Sequence, residues 1–125
     1  MRIKISSCGH SFFASLLKNN TAKAIYEALP ISGELSWWGR EIYFDIPLVL
    51  EEENPQKYVE LGSIAYWPKG PGFCIFFGNT PINKDKIQPA SPVSIFGIVT
   101  DLAAAEEASR GIKDGAIIVV EKAVS

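Results

Sequence analysis

The chain has 125 residues and a net charge of −2, with 47% hydrophobic and 21% charged residues; this is the composition of a single folded domain spanning 1–125, not of a disordered chain. The small acidic excess argues against nucleic acid or an anionic membrane as partner, since both are bound by basic patches. No apolar run approaches the roughly 20 residues of a membrane span, and MRIKISSCGH shows no apolar export signal, so cytoplasmic residence and reduced thiols at Cys8 and Cys74 are expected.

Arg2, Ile3, Lys4 and Ile5 alternate polar and apolar, as a half-buried strand does. Phe12 to Leu17 is the second candidate strand. NNTAKAIYEALP then places Ala22, Ile25, Tyr26 and Leu29 at helical spacing, with Asn19 or Asn20 opening the helix and Pro30 stopping it. Seven of the eight prolines fall from Pro47 to Pro92, which excludes helix from most of the middle of the chain. Ile31 to Trp37 and Glu41 to Ile46 flank a hairpin around Gly39, with Ile42, Phe44 and Ile46 on one face and Tyr43 and Asp45 on the other. LEEENPQKY, from Leu50 to Tyr58, reads as a solvated loop. Ser63 to Trp67 and Phe73 to Phe77 flank a turn at Pro68-Lys69-Gly70-Pro71-Gly72. Val93 to Val99 precedes a second helix, DLAAAEEASRG, capped by Asp101 or Thr100 and ended by Gly111; Ala116 to Glu121 is the last strand.

Phe73, Ile75 and Phe77 oppose Cys74 and Phe76, and Ile117 and Val119 oppose Ile118 and Val120. Strands apolar on both faces need cover on both. The outer cover can come from a helix, a loop or a second subunit, so a homodimer is one expectation. Eight short strands and two helices in 125 residues point to a mainly β, closed eight-stranded barrel.

Most chemistry is excluded by counting. His10 is the one histidine, and neither a zinc-ligand spacing nor a nucleophile elbow accompanies it, so no metal and no cofactor are expected. Cys8 and His10 could share a face of an extended segment as a thiol–imidazole pair. Lys69-Gly70-Pro71-Gly72 is glycine-rich, but Pro68 and Pro71 remove two amide donors, and a tight turn explains it better than a phosphate loop. The aromatics lack the basic flanks of a single-strand binder, apart from Arg40 and Lys69. One cluster stands out: Trp37, Trp38, Arg40, Tyr43, Tyr66 and Trp67 gather all three tryptophans into two hairpin-like segments. Such residues either fill and cap a barrel or line a binding cleft.

The string GSIAYWPKGPGFCIFFGNTP from Gly62, then Pro89-Ala90-Ser91-Pro92-Val93 and Gly97, resembles a small prokaryotic cyclophilin-like family of uncharacterised function. NNTAKAIYEALPI and GREIYFDIP fit the same pattern. The resemblance implies the cyclophilin-type closed eight-stranded barrel with two helices. It does not bring the isomerase site with it. The cyclophilin set includes an arginine in a Phe-His-Arg context together with methionine and glutamine. Here Met1 is the sole methionine, Arg2, Arg40 and Arg110 follow no Phe-His pair, and Gln56 and Gln88 sit in proline-flanked loops.

Three functions are therefore weighed. The first is a non-catalytic module holding a peptide segment or small molecule, with Arg40 as anchor and the tryptophans and tyrosines as stacking area. The second is a peptidyl-prolyl isomerase with Arg40 in a rebuilt site. The third is an unrelated enzyme using Cys8 or His10.

Overall fold

Burial alternates along the first strand, β1 (Arg2–Ser7), where Ile3 and Ile5 are fully buried and Arg2, Lys4 and Ser6 are half-exposed. It pairs antiparallel with β2 (His10–Leu16), and the match of Ser7 with His10 leaves Cys8-Gly9 as the turn. Both have positive φ, 53° and 78°, the backbone that a two-residue hairpin of right-handed twist requires. These features come from a computed structural model that describes residues 1–124.

Helix α1 (Asn20–Ala28) is capped by Asn19, whose side chain accepts from the Ala22 amide at 2.8 Å. Glu53 reaches the same helix end and accepts from the Asn20 and Thr21 amides and from the Thr21 hydroxyl. That geometry satisfies amides the helix itself leaves free, and it holds the Glu53 carboxyl below its usual range. Glu51 and Glu52 are solvated as expected; Glu53 instead ties the loop to the helix.

The segment expected as one strand, Ile31 to Trp37, is divided into β3 (Ile31–Glu34) and β4 (Ser36–Trp38). The break is at Leu35, whose side chain is fully buried. Its amide bonds the Ala116 carbonyl and its carbonyl accepts from Gly115, while the Trp37 amide turns to the Asp114 carboxylate. Before the break the chain pairs with β9 (Ile117–Ala123); after it, with β5 (Glu41–Asp45). The remaining strands are β6 (Ser63–Trp67), β7 (Gly72–Phe76) and β8 (Ser94–Val99), and the sheet order is β3-β9-β1-β2-β8-β6-β7-β5-β4. The closed eight-stranded barrel is thus corrected to an open sheet of nine strands. Its two edge strands are consecutive in the chain, and Gly33 on β3 lies so near Phe44 on β5 that a Cβ would meet the ring at 3.0 Å. The sheet curls upon itself, and no ladder joins its edges.

Inside the curl, Phe44, Phe73 and Phe96 interlock, with centroid separations of 5.1 and 5.3 Å. Helix α2 (Leu102–Ser109), capped by Asp101, lies against β2. No helix among the described residues is long and apolar enough to cross a membrane. The two-faced reading of β7 holds: Phe73, Ile75 and Phe77 join the main core, while Cys74 and Phe76 join a second cluster with Val59, Ala65, Ile87 and Val93. A loop provides that outer cover. On β9 the inward Ile118 and Val120 are fully buried, whereas outward Ile117 is 60% exposed.

Candidate functional site

Alternation along β5 sends Ile42 and Phe44 into the main core and leaves Glu41 and Tyr43 on the outer face. The antiparallel register sets Trp38 opposite Glu41 and Cys74 opposite Tyr43. Trp67, at the end of β6, meets Tyr43 edge-to-face at 6.2 Å. Pro89, Ala90 and Val93 close the other side, and a cavity of about 250 Å³ remains between these groups. That exceeds the roughly 150 Å³ that accommodates a benzene ring.

The loop between β7 and β8 is built rather than draped. Asn83 organises it, its carbonyl oxygen accepting from the Thr80 amide, the Thr80 hydroxyl and the Gln88 amide. Bridges from Val59 to Ile87 and from Gln56 to Val93 fasten its far half to the segment between β5 and β6. At its near end the Asn79 carbonyl accepts from the Arg40 amide at 2.8 Å. Gly39 makes that approach possible: its φ is +61°, and a Cβ would stand 2.6 Å from the same carbonyl oxygen. Ser91 accepts the Trp67 indole N–H at 2.6 Å and so fixes the ring that walls the cavity.

Glu41 is the unusual group. It is 5% exposed, and its Oε1 is buried with no hydrogen-bond partner among the described residues. Burial pushes its carboxyl up to about 7, opposed by a hydrogen bond from the neighbouring Cys74 thiol. Burial and the Glu41 charge in turn push the Cys74 thiol well above its ordinary range. That thiol is a poor nucleophile. Among the described residues, no group of three or more His, Cys, Asp or Glu side chains is arranged to hold a metal ion.

Of the six residues singled out in the sequence, Trp38, Tyr43 and Trp67 converge on this cavity. Trp37 and Arg40 lie elsewhere: the Trp37 indole donates to the Ile112 carbonyl, and the Arg40 guanidinium stacks 4.8 Å from the Trp37 ring and donates to Ser109. Tyr66 is fully buried, its hydroxyl donating to the Leu48 carbonyl and accepting from the Leu50 amide. Cys8 and His10 flank the β1–β2 turn, outside the cavity lining. Both cysteines are free, Cys8 exposed and Cys74 buried. Hydrogen bonds with the Lys113 backbone and Ser7 lower the Cys8 thiol, and the His10 ring rests on Gly111. Sequence reasoning missed Glu41, Cys74 and the Pro89–Val93 wall. The available signal was the strand's period of two, which puts Glu41 on the face of Tyr43.

A family model described as Cyclophilin-like matches residues 1–121. Among solved structures, the chain is similar to the solution structure of the hypothetical protein AF2241 from Archaeoglobus fulgidus. The identity is 38%, the TM-score 0.79, and the match covers 98% of this chain and 95% of that one. It also shares its fold with McbB, solved in complex with tryptophan, at 17% identity and a TM-score of 0.72; 98% of this chain matches 46% of that one. No curated protein matches the chain.

Proposed function

The chain belongs to the cyclophilin-like family, and from that premise we propose that it is a binding module holding a small molecule, or one side chain of a peptide segment, in the cavity between Trp38, Tyr43 and Trp67. The observation that carries this reading is the orphaned Oε1 of Glu41. Buried polar atoms in folded proteins almost always have partners, and a lone one at a cavity wall costs about 1–3 kcal/mol until something donates to it. A ligand with a hydrogen-bond donor supplies that partner, while the aromatic walls supply contact area.

An isomerase built on Arg40 has less support, because that guanidinium is occupied by Ser109 and Trp37. Chemistry at Cys8 or His10 has less support, because neither residue lines this cavity.

The test is a titration of ¹⁵N-labelled protein with small aromatic molecules. Indole and tryptophan are natural first probes, since McbB of the same fold is solved with tryptophan. The expected result is shifts at the Trp38 and Trp67 indole N–H signals and at the Glu41, Cys74 and Val93 amides, lost in Trp67→Ala. Shifts confined to other surfaces would overturn the assignment of the site.

A further inference from the structure

Three aromatic side chains, Trp38, Tyr43 and Trp67, surround one buried carboxyl, and among the described residues no Lys, Arg or His lines the cavity. From this juxtaposition we infer that the ligand is an organic ammonium, which pairs with the Glu41 carboxylate while its carbon substituents pack against the three rings. The inference rests on the binding-module reading and deepens it.

The argument is one of charge. A carboxylate taken out of water is stabilised by a paired countercharge far better than by a neutral donor. The neighbouring Arg40 could have served, but its guanidinium is turned away onto Trp37 and Ser109. Aromatic rings complement a cation through their negative faces, and this attraction strengthens as water is excluded. An anionic ligand would meet Glu41 with like charge, and a neutral one would favour the protonated carboxyl over the carboxylate.

Proton linkage follows from the same geometry. The titratable groups facing Glu41 are Cys74 from β7 and Tyr43 from its own strand, and Pro89, Ala90 and Val93 of the covering loop bear no charge. Only the ionised Glu41 pairs with an ammonium. With its carboxyl up to about 7 in the free protein, affinity for an ammonium should rise about tenfold from pH 6 to pH 8.

Benzylammonium and benzyl alcohol make a clean probe pair, since both donate a hydrogen bond, both carry one ring, and only one is charged. Calorimetry at pH 8, with the indole N–H signals as site reporters, is expected to give at least tenfold tighter binding of benzylammonium. Glu41→Gln should bring the two within about twofold of each other. Wild type supplies the second measurement, the pH series, so the inference does not depend on the variant folding. Equal affinity for the two probes at pH 8 overturns the ammonium inference and leaves the cavity standing as a neutral binding site. Failure of both probes to move the Trp38 and Trp67 signals overturns the cavity reading and the ammonium inference with it.

Discussion

Both faces of β7 are apolar, yet the inner face that it shares with β5 is filled and the outer face is hollow. Inside, Phe44, Phe73 and Phe96 interlock with ring centroids 5.1 and 5.3 Å apart. Outside, Tyr43 and Cys74 meet the folded-back Pro89–Val93 segment around a cavity of about 250 Å³ lined by a buried carboxyl. Interiors normally pack to crystal-like density, with few voids larger than a water molecule. The difference supports the proposed division of labour, the inner face for stability and the outer face for a ligand.

The largest expected effect tests the filled face. Phe73 is fully buried between two other rings, so Phe73→Ala should cost about 3–5 kcal/mol in urea denaturation. Its neighbour Cys74 faces the hollow, and Cys74→Ala should cost less than about 1 kcal/mol, because few atoms are removed beside space already empty. Equal costs at these adjacent positions would break the comparison.

The second effect tests the hollow face through pH. The Glu41 carboxyl stands at about 7 in the folded chain against 4.5 as its ordinary value. Between those values the folded state keeps a proton that the unfolded state has released. Stability from this group is therefore fully present below about pH 4.5 and is lost as pH rises through 7, by roughly 3 kcal/mol in all. Glu41→Gln carries no such titration, so it should match wild type near pH 4 and exceed it by up to roughly 3 kcal/mol at pH 8. Glu53, lowered by its bonds to α1, acts in the opposite sense, adding stability that is lost as pH falls. It does so in both proteins, and their difference isolates Glu41. Denaturant titrations at pH 4, 6 and 8 measure it; parallel curves for the two proteins would show that Glu41 is not desolvated.

How much of this could be read from the sequence depends on how local each feature is. The polar–apolar alternation of β1 and the two apolar faces of β7 were legible, because period-two patterns reflect burial directly. The split at Leu35 was not. Ile31 to Trp37 has no break of its own, and the division comes from distant partners, Gly115 and Ala116 on one side and β5 on the other. The aromatic cluster was half legible. Trp37 and Trp38 are adjacent on one strand, as are Tyr66 and Trp67, so neither pair can face one pocket together. The same parity separates Arg40 from Glu41. What no local pattern could give was the loop, since its seat on the sheet depends on Asn83, Thr80 and Gln88 meeting across a turn. Without it, Glu41 reads as one more turn carboxylate.

The smallest effect comes from the residue that looked most functional. The Arg40 stem runs against Gly78, its guanidinium covers Trp37 at 4.8 Å and Phe77 at 5.8 Å, and one N–H reaches Ser109 at 2.9 Å. Arg40→Met keeps much of the apolar stem and loses the charge. Ser109 is buried, but its hydroxyl already donates to the Glu106 carbonyl at 2.6 Å, so it is not stranded when the guanidinium goes. The loss should be about 1–2 kcal/mol, the sum of an aromatic contact and one hydrogen bond. Because Arg40 is turned away from the cavity, the variant should bind benzylammonium within about twofold of wild type at pH 8. A tenfold loss of affinity with stability unchanged would mean that Arg40 serves the ligand directly, and the division between a structural face and a binding face would have to be redrawn around it.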